Sequence, residues 1–547
     1  MGDEITLILL HGNVWTGSLS QPHAEALAIA GTTIAALGTN AEIESLAPAG
    51  CPRLDLAGRR VLPGFNDAHV HFYMGGAGLA GVQLRTARSA EEFRDRLAAF
   101  AKSVPEGEWI LGGFWDEANW EQPELPTRDL VDDVTPRHPV FVRGMAGHMS
   151  FANSLALRLA RAESTPDVPG GVIVRDAQGR ATGVLMEAAQ TLVERAIPVP
   201  SVKQVRGALL AAQRHALTHG VTSIQDMGVV GSQRLALTGR ILQVYQDLLH
   251  SGELQMRVSF HLPLPEFREH LDAALSTAAG QKLRVDAIKS FSDGGLGSST
   301  AWFLDDYSHR PGWRGLPSEE MSDPKTMLRN LFDADRAGLR LAVHAIGDRA
   351  NRTVLDMYAA LATSEGYRDR RWRIEHAQHL HPDDIGRFAE LGVIASVQPY
   401  HCMDDARWAE AHIGPERAKG TYAFRSLLDA GARLACGSDW FVAPLDPLAG
   451  LYAAVTRRVT GASQETWHPE QAITLTEALH GYTSGSAFAS GEESVKGTLS
   501  PGKLADLVVL SSDIFVLDAG HIRDVQVELT ICNGEVVYQR EAKSVPA

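Results

Sequence analysis

The sequence predicts an α/β fold: a (β/α)8 TIM barrel carrying an inserted α/β subdomain, joined to a small β-sandwich built from both ends of the chain. Three observations carry that prediction. Eight apolar, β-rich runs alternate with amphipathic stretches. Polar residues capable of chemistry stand at the carboxyl ends of those runs. Short strand patterns bounded by turn signals occur at both ends of the chain.

Residues 7–10, 26–29 and 33–37 read as short strands separated by Gly-Asn and Gly-Thr turn signals. The pattern returns at 504–510 and 528–538, the latter a hairpin through Asn533-Gly534. Neither end has enough strands for a sheet of its own, so residues 1–60 and 481–547 are expected to form one composite sandwich. The barrel then occupies 61–480. Its strands are expected at 61–71, 221–226, 256–262, 285–290, 339–344, 372–376, 393–398 and 433–439, with helical stretches such as 202–219, 324–337 and 383–391 between them. A structureless loop between the first two strands would be improbably long. Residues 79–216, with β-like runs at 109–114 and 140–143, are therefore read as a subdomain over the barrel mouth, where it would shape a substrate pocket.

The chain has 547 residues, 44% of them hydrophobic, and a formal charge of -15, which argues against a nucleic-acid or polybasic membrane-surface protein. Cys51, Cys402, Cys436 and Cys532 lie far apart and form no CxxC pair, as suits a reducing cytoplasm. The acidic start Met1-Gly2-Asp3-Glu4 lacks the basic region of a signal peptide, and the apolar run at 5–10 is too short to span a membrane. The expected location is cytoplasmic and the expected partner a small molecule, with a homodimer as a candidate assembly.

Chemistry begins at Val61-Leu62-Pro63-Gly64-Phe65-Asn66-Asp67-Ala68-His69-Val70-His71. Side chains at i and i+2 of a strand share a face, so His69 and His71 at a strand end can both reach one metal ion. Lys289, His344, His376 and Asp439 fall at the ends of later strands. A barrel gathers such positions at one rim.

These motifs together resemble the amidohydrolase superfamily of metal-dependent hydrolases. The long insertion, Gly147-His148 with Asn153-Ser154, Lys289-Ser290-Phe291-Ser292-Asp293-Gly294, and His344-Ala345-Ile346-Gly347-Asp348 look like the amidohydrolase family 3 group that includes N-substituted formamide deformylases. The resemblance runs to Gly497-x-Leu499-x-x-Gly502-Lys503-Leu504-Ala505-Asp506 near the end.

What the resemblance implies is a binuclear centre, with two zinc ions the expected cofactors. His69, His71 and Asp439 would hold one ion and His344 and His376 the second, in keeping with the nitrogen and oxygen donors that zinc prefers. Lys289 would be converted by carbon dioxide to a bridging carbamate, although a lysine here can also form a plain ion pair, and Glu187 is an alternative bridging carboxylate. Two cations about 3.5–4 Å apart would activate a bridging water and polarise a carbonyl, with Asp439 as the proton carrier. His148 is a candidate substrate contact. Asp293-Gly294-Gly295 reads as turn chemistry. The expected reaction is hydrolysis of a non-peptide C–N bond in a formamide, amide or carbamate. The alternatives are a cyclic-imide hydrolase, a deaminase, disfavoured because no glutamate follows closely after His344, and a non-catalytic metal-stabilised binding protein.

Overall fold

The computed structural model describes residues 4–541 apart from 116, 118–119, 123, 145–148, 167, 169–170, 188, 231–233, 272–278, 367 and 462–464. Two units form. Met1–His71, Gln213–Gly228 and Tyr245–Ala547 make one, and Phe72–Ala212 with Val229–Val244 make the other.

The first unit is organised on eight parallel strands in sequence order: β1 (Phe65–Val70), β2 (Val221–Asp226), β3 (Arg257–Pro263), β4 (Leu283–Phe291), β5 (Arg340–Ala345), β6 (Arg373–His376), β7 (Ile394–Val397) and β8 (Arg433–Cys436). Each expected barrel strand is present. Most of their residues are buried, as parallel strands covered on both faces require. A bridge between Val70 and Trp440 returns the end of the sheet to its start. Two backbone bonds reinforce it, from the Asp439 N–H to the His69 carbonyl (2.7 Å) and from the His71 N–H to the Trp440 carbonyl (2.6 Å).

The connecting helices start and stop where side chains satisfy their end groups. Pro324–Arg336 begins with Asp323 accepting from the Thr326 N–H and a proline in the first turn. Pro382–Leu391 ends at Gly392 in the left-handed region.

The stretch 61–71 is divided rather than continuous. Arg60–Pro63 pairs antiparallel with Leu507–Leu510, and only Phe65–Val70 enters the barrel. Gly64 is the junction, its N–H donating to the Asp506 carbonyl (2.9 Å). Asp506, from the motif near the chain end, also takes the guanidinium of Arg257 at the start of β3, Nε to Oδ2 2.7 Å, with both side chains buried. That motif is accounted for as a joint between the terminal sheet and the barrel.

The terminal strands form two sheets. One joins both ends in the order Glu535–Gln539, Val527–Cys532, Leu507–Leu510, Arg60–Pro63, Asn13–Trp15 and His23–Ala24. The other contains Thr33–Gly38, Ala26–Ala30, Ile5–Leu10 and Arg53–Asp55, so the amino-terminal end does supply a whole sheet, against expectation. It manages this because Arg53–Asp55 pairs parallel with Ile5–Leu10 across a crossover that includes the capped helix Asn40–Leu46. Leu9, Leu27 and Ile29 of this sheet share a core with Val61, Leu507 and Ile531 of the other. The hairpin turn has Asn533 at φ 58° and Gly534 at φ 79°, the pair of left-handed residues that a two-residue hairpin demands.

The second unit carries its own six-stranded sheet, ordered Gly171–Arg175, Ala181–Glu187, Met149–Ala152, Phe141–Gly144, Gly112–Trp115 and Val82–Gln83. Phe93 and Leu97 of the helix Ala90–Ala101 pack with Trp115, Trp120, Phe151 and Val184 in a buried cluster. Its extent differs from 79–216: it begins at Phe72 and takes in Val229–Val244 after β2. No helix of the described residues is long and apolar enough to cross a membrane, and the four cysteines are unpaired.

Candidate metal centre

Close approach of β1 and the segment after β8 creates the centre. A Cβ at Gly437 would lie 2.5 Å from the His69 nitrogen and 2.9 Å from Asp67 Oδ1, so only glycine lets these backbones come together. Asp67 Oδ1 accepts from the Ser438 N–H (2.9 Å) and the His69 N–H (3.1 Å). Asp439 then turns inward at φ 56°, a conformation uncommon outside glycine.

Three histidines near Asp439 are each oriented by a partner on the outer nitrogen. His69 Nδ1 donates to Glu375 Oε2 (2.6 Å), and His71 Nδ1 donates to the Gly228 carbonyl (2.9 Å). His376 Nδ1 donates to Gln398 Oε1 (2.7 Å), whose amide nitrogen is engaged by the Ser396 carbonyl (3.2 Å). Fixing the proton on Nδ1 leaves the Nε2 lone pair of each ring free. Burial holds the three imidazoles neutral, with His71 pulled down to about 3 and His69 and His376 well below their ordinary value.

Lone pairs converge as a result. Asp439 Oδ1 lies 3.5 Å from Nε2 of His69 and 3.5 Å from Nε2 of His71, and it is buried without a hydrogen-bond donor. Lys289 offers one proton to this cluster, its Nζ standing 3.3 Å from His69 Nε2. That leaves His71 Nε2 and Asp439 Oδ1 facing each other as acceptors, an arrangement that costs energy unless a cation lies between them. The donor set therefore fits a divalent metal with nitrogen and oxygen preference.

Burial also moves the two charged groups toward neutrality. The Lys289 amine falls to about 8 against the opposing attraction of Glu375 and Asp439. The Asp439 carboxyl rises to about 7, again chiefly through burial and opposed by Lys289.

Six residues were named from the sequence as a metal set, and the structure gathers His69, His71, Lys289, His376 and Asp439. His344 is adjacent, its ring centroid 4.6 Å from that of His376. Its Nε2, however, lies 3.3 Å from Asp293 Oδ1 and 3.3 Å from the Gly294 carbonyl. Among the described residues, two groups of three offer ligand atoms within 4.8 Å of one another: His69, His71 and Asp439, and His376, His401 and Asp439. His344 is in neither. Asp293 does turn chemistry, accepting from the N–H groups of Trp302 (2.8 Å), Ile346 (3.0 Å) and Gly347 (2.8 Å). His148 lies outside the described residues, and Glu187 closes the strand Ala181–Glu187, its side chain likewise outside them.

Two residues escaped sequence reasoning. Glu375 is fully buried between His69 Nδ1 and the Arg373 guanidinium, with which it forms an ion pair. Its signal was a charged Arg-x-Glu pair inside an apolar strand, two residues apart and so on one face. His401, four residues beyond the end of β7, had only its proximity to a strand end.

The amidohydrolase family model matches residues 54–538. The chain belongs to the amidohydrolase family. A 39% identical relative, the Arabidopsis thaliana protein LONG AFTER FAR-RED 3, aligns over 93% of this chain and 87% of its own length. The N-substituted formamide deformylase of Arthrobacter pascens is 29% identical over 98% of both. Among solved structures, an uncharacterized metal-dependent hydrolase from Pyrococcus horikoshii is 29% identical, with a TM-score of 0.78 over 94% of this chain and 99% of that one. Family membership makes a general hydrolase role the frame for this amidohydrolase's buried centre.

Proposed function

We propose that this amidohydrolase hydrolyses a non-peptide C–N bond, of N-formyl, N-acyl amide or carbamate type, in a small molecule. The observation that carries the reading is the convergence of Asp439 Oδ1 with the unprotonated Nε2 atoms of His69 and His71 in a buried site. The likeness to a formamide deformylase supports the bond type.

His69, His71 and Asp439 would hold one divalent ion, zinc by donor preference, and His344 and His376 with a carbamate of Lys289 a second. When bound, such ions supply Lewis acidity, lowering the pKa of water and polarising a carbonyl. Lys289 is suited to its part because an amine near 8 is partly unprotonated at neutral pH. Its nitrogen adds to carbon dioxide, forming an N–C bond and releasing one proton. Asp439, near 7, accepts the proton of the attacking water and returns it to the departing nitrogen, a base becoming an acid within one cycle. Glu375, Gly228 and Gln398 keep the three rings aimed throughout.

A screen of N-formyl, N-acyl and carbamate compounds with metal analysis of the same sample tests this. Turnover of one class, abolished by a chelator and restored by zinc, is the expected result. Activity that survives complete metal removal refutes the proposal, as does ammonia release from aminopurines with no amide turned over.

A further inference from the structure

A cavity of about 270 Å³ lies at the amino ends of β6, β7 and β8, the opposite end of the barrel from the metal centre. Trp372 stands just before β6, Val393 just before β7, and Arg433 opens β8. Phe388, in the last turn of the helix Pro382–Leu391, and Phe488, in the short helix Ser486–Ala489, add two more rings to the lining. Trp372, Phe388 and Val393 are buried and give the cavity an apolar floor. Its rim is cationic, with Arg368, Arg370 and Arg433 against a single lining acid, Asp369.

The charges around the cavity do not balance. Asp335, itself buried, takes Nη2 of Arg368 (3.1 Å) and Nε of Arg370 (3.0 Å), and it accepts from the Trp372 indole N–H (3.2 Å). Arg371 pairs with Asp369 (2.8 Å) and Glu493 (2.7 Å). Three acids thus serve three arginines. Arg433 makes no hydrogen bond or ion pair among the described residues; Glu493 feels its charge but is bonded to Arg371. What holds Arg433 is Phe488, whose ring centre is 3.9 Å from its guanidinium carbon and 3.4 Å from that of Arg371. Two carbons so close to one ring without a clash must lie on opposite faces, so the ring separates the two cations. An exposed arginine is ordinarily mobile and solvated. This one is placed by stacking, beside an apolar cavity, with its charge uncompensated.

We propose that this cavity is a binding site, separate from the metal centre, for a small aromatic monocarboxylate whose carboxylate pairs with Arg433. A guanidinium fork matches a carboxylate through two parallel N–H bonds. One unmet positive charge calls for one negative charge, because a second would face Asp369 without a cation to meet it. The floor of Trp372, Phe388 and Val393 calls for an apolar body, and flat rings pack well against Trp and Phe. The volume falls just below the roughly 300–1,000 Å³ of sites for drug-sized ligands and so suits a single-ring molecule.

The probe is 4-bromobenzoate, with 4-bromobenzamide as its uncharged match and inorganic phosphate as an anion without an apolar body. The full-length protein, both metal-loaded and chelator-treated, is titrated with each by calorimetry. Crystals soaked in 4-bromobenzoate are examined for the anomalous signal of bromine. The expected results are bromine in the cavity and a saturable site for the acid that survives chelation. Affinity is expected to be at least about tenfold lower for the amide, for phosphate, and for the acid with Arg433→Met, as loss of a charge-assisted hydrogen bond requires. Arg433→Gln replaces the methionine variant if circular dichroism shows that the latter misfolds. Equal affinity for acid and amide, phosphate binding as tightly as the acid, or undiminished binding in a folded Arg433 variant overturns the proposal. Loss of the site on chelation, or bromine only at the metal centre, does the same. Bromine in the cavity without a saturable titration is binding at crystal concentration only and also overturns it.

Discussion

Replacing Glu375 by glutamine removes one charge from the most deeply buried ion pair of the centre. The side chains of Arg373 and Glu375 are 2% and 0% exposed. The glutamine keeps the shape and one acceptor for His69 Nδ1, but it cannot balance the guanidinium. Arg373 retains its bonds to the Ala68 carbonyl (2.8 Å) and to Gln225, so it stays in place as a buried cation without its counter-charge. Breaking a buried pair from one side costs about 3–5 kcal/mol, and the remaining bonds place the expected loss near the lower figure. A second effect falls on the metal. His69 is aimed by a 2.6 Å bond to a carboxylate, and weakening such an outer partner lowers metal affinity by about 10- to 100-fold, or roughly 1.4–2.7 kcal/mol. Urea unfolding of the metal-free protein measures the first effect, and competition against a chromophoric chelator measures the second. A variant within about 1 kcal/mol of wild type and with unchanged zinc affinity would refute the assignment of Glu375 as the residue that positions His69.

Lys289→Ala is expected to lose most activity, with partial recovery on adding formate or acetate; no recovery, together with an unmodified amine in the metal-loaded wild type by mass spectrometry or diffraction, counts against the carbamate. Asp439→Asn, assayed at saturating metal, should lower kcat by about 10²- to 10⁴-fold with little change in KM, and a variant within about threefold of wild type would remove Asp439 from proton transfer. Asp405 gives a pH test away from the metal ligands: burial raises it to about 7, with Tyr422 Oη and Gln378 Nε2 donating to it at 2.7 and 2.8 Å. Because its folded value lies above its unfolded one, its neutral form favours folding fully below about pH 4, and that contribution is lost as pH rises through 7. Wild type should therefore lose stability relative to Asp405→Asn between pH 5 and 8 in urea unfolding, and parallel curves would dismiss the effect.

Strand positions and the rim chemistry could be read from the chain alone because both are local. A buried parallel strand is a short apolar run, and a barrel delivers the ends of all its strands to one rim. His69, His71, Lys289, His376 and Asp439 were found that way, and so was the Asn533-Gly534 turn, whose left-handed backbone is a property of two residues. Periodicity failed at 61–71, where one unbroken apolar run serves two sheets and pairing alone marks the division at Gly64.

Which partner holds each histidine ring is a matter of three-dimensional packing. These partners are distant in sequence: Glu375 for His69, Gly228 for His71, Gln398 for His376, and Asp293 with Gly294 for His344. The same residue type thus meets a different set of hydrogen-bond partners at each of the four positions. His401 could not be found from spacing, because a short turn beyond β7 carries it to Asp439. Sequence named the rim, and the hydrogen bonds behind the rim set what each side chain there can hold.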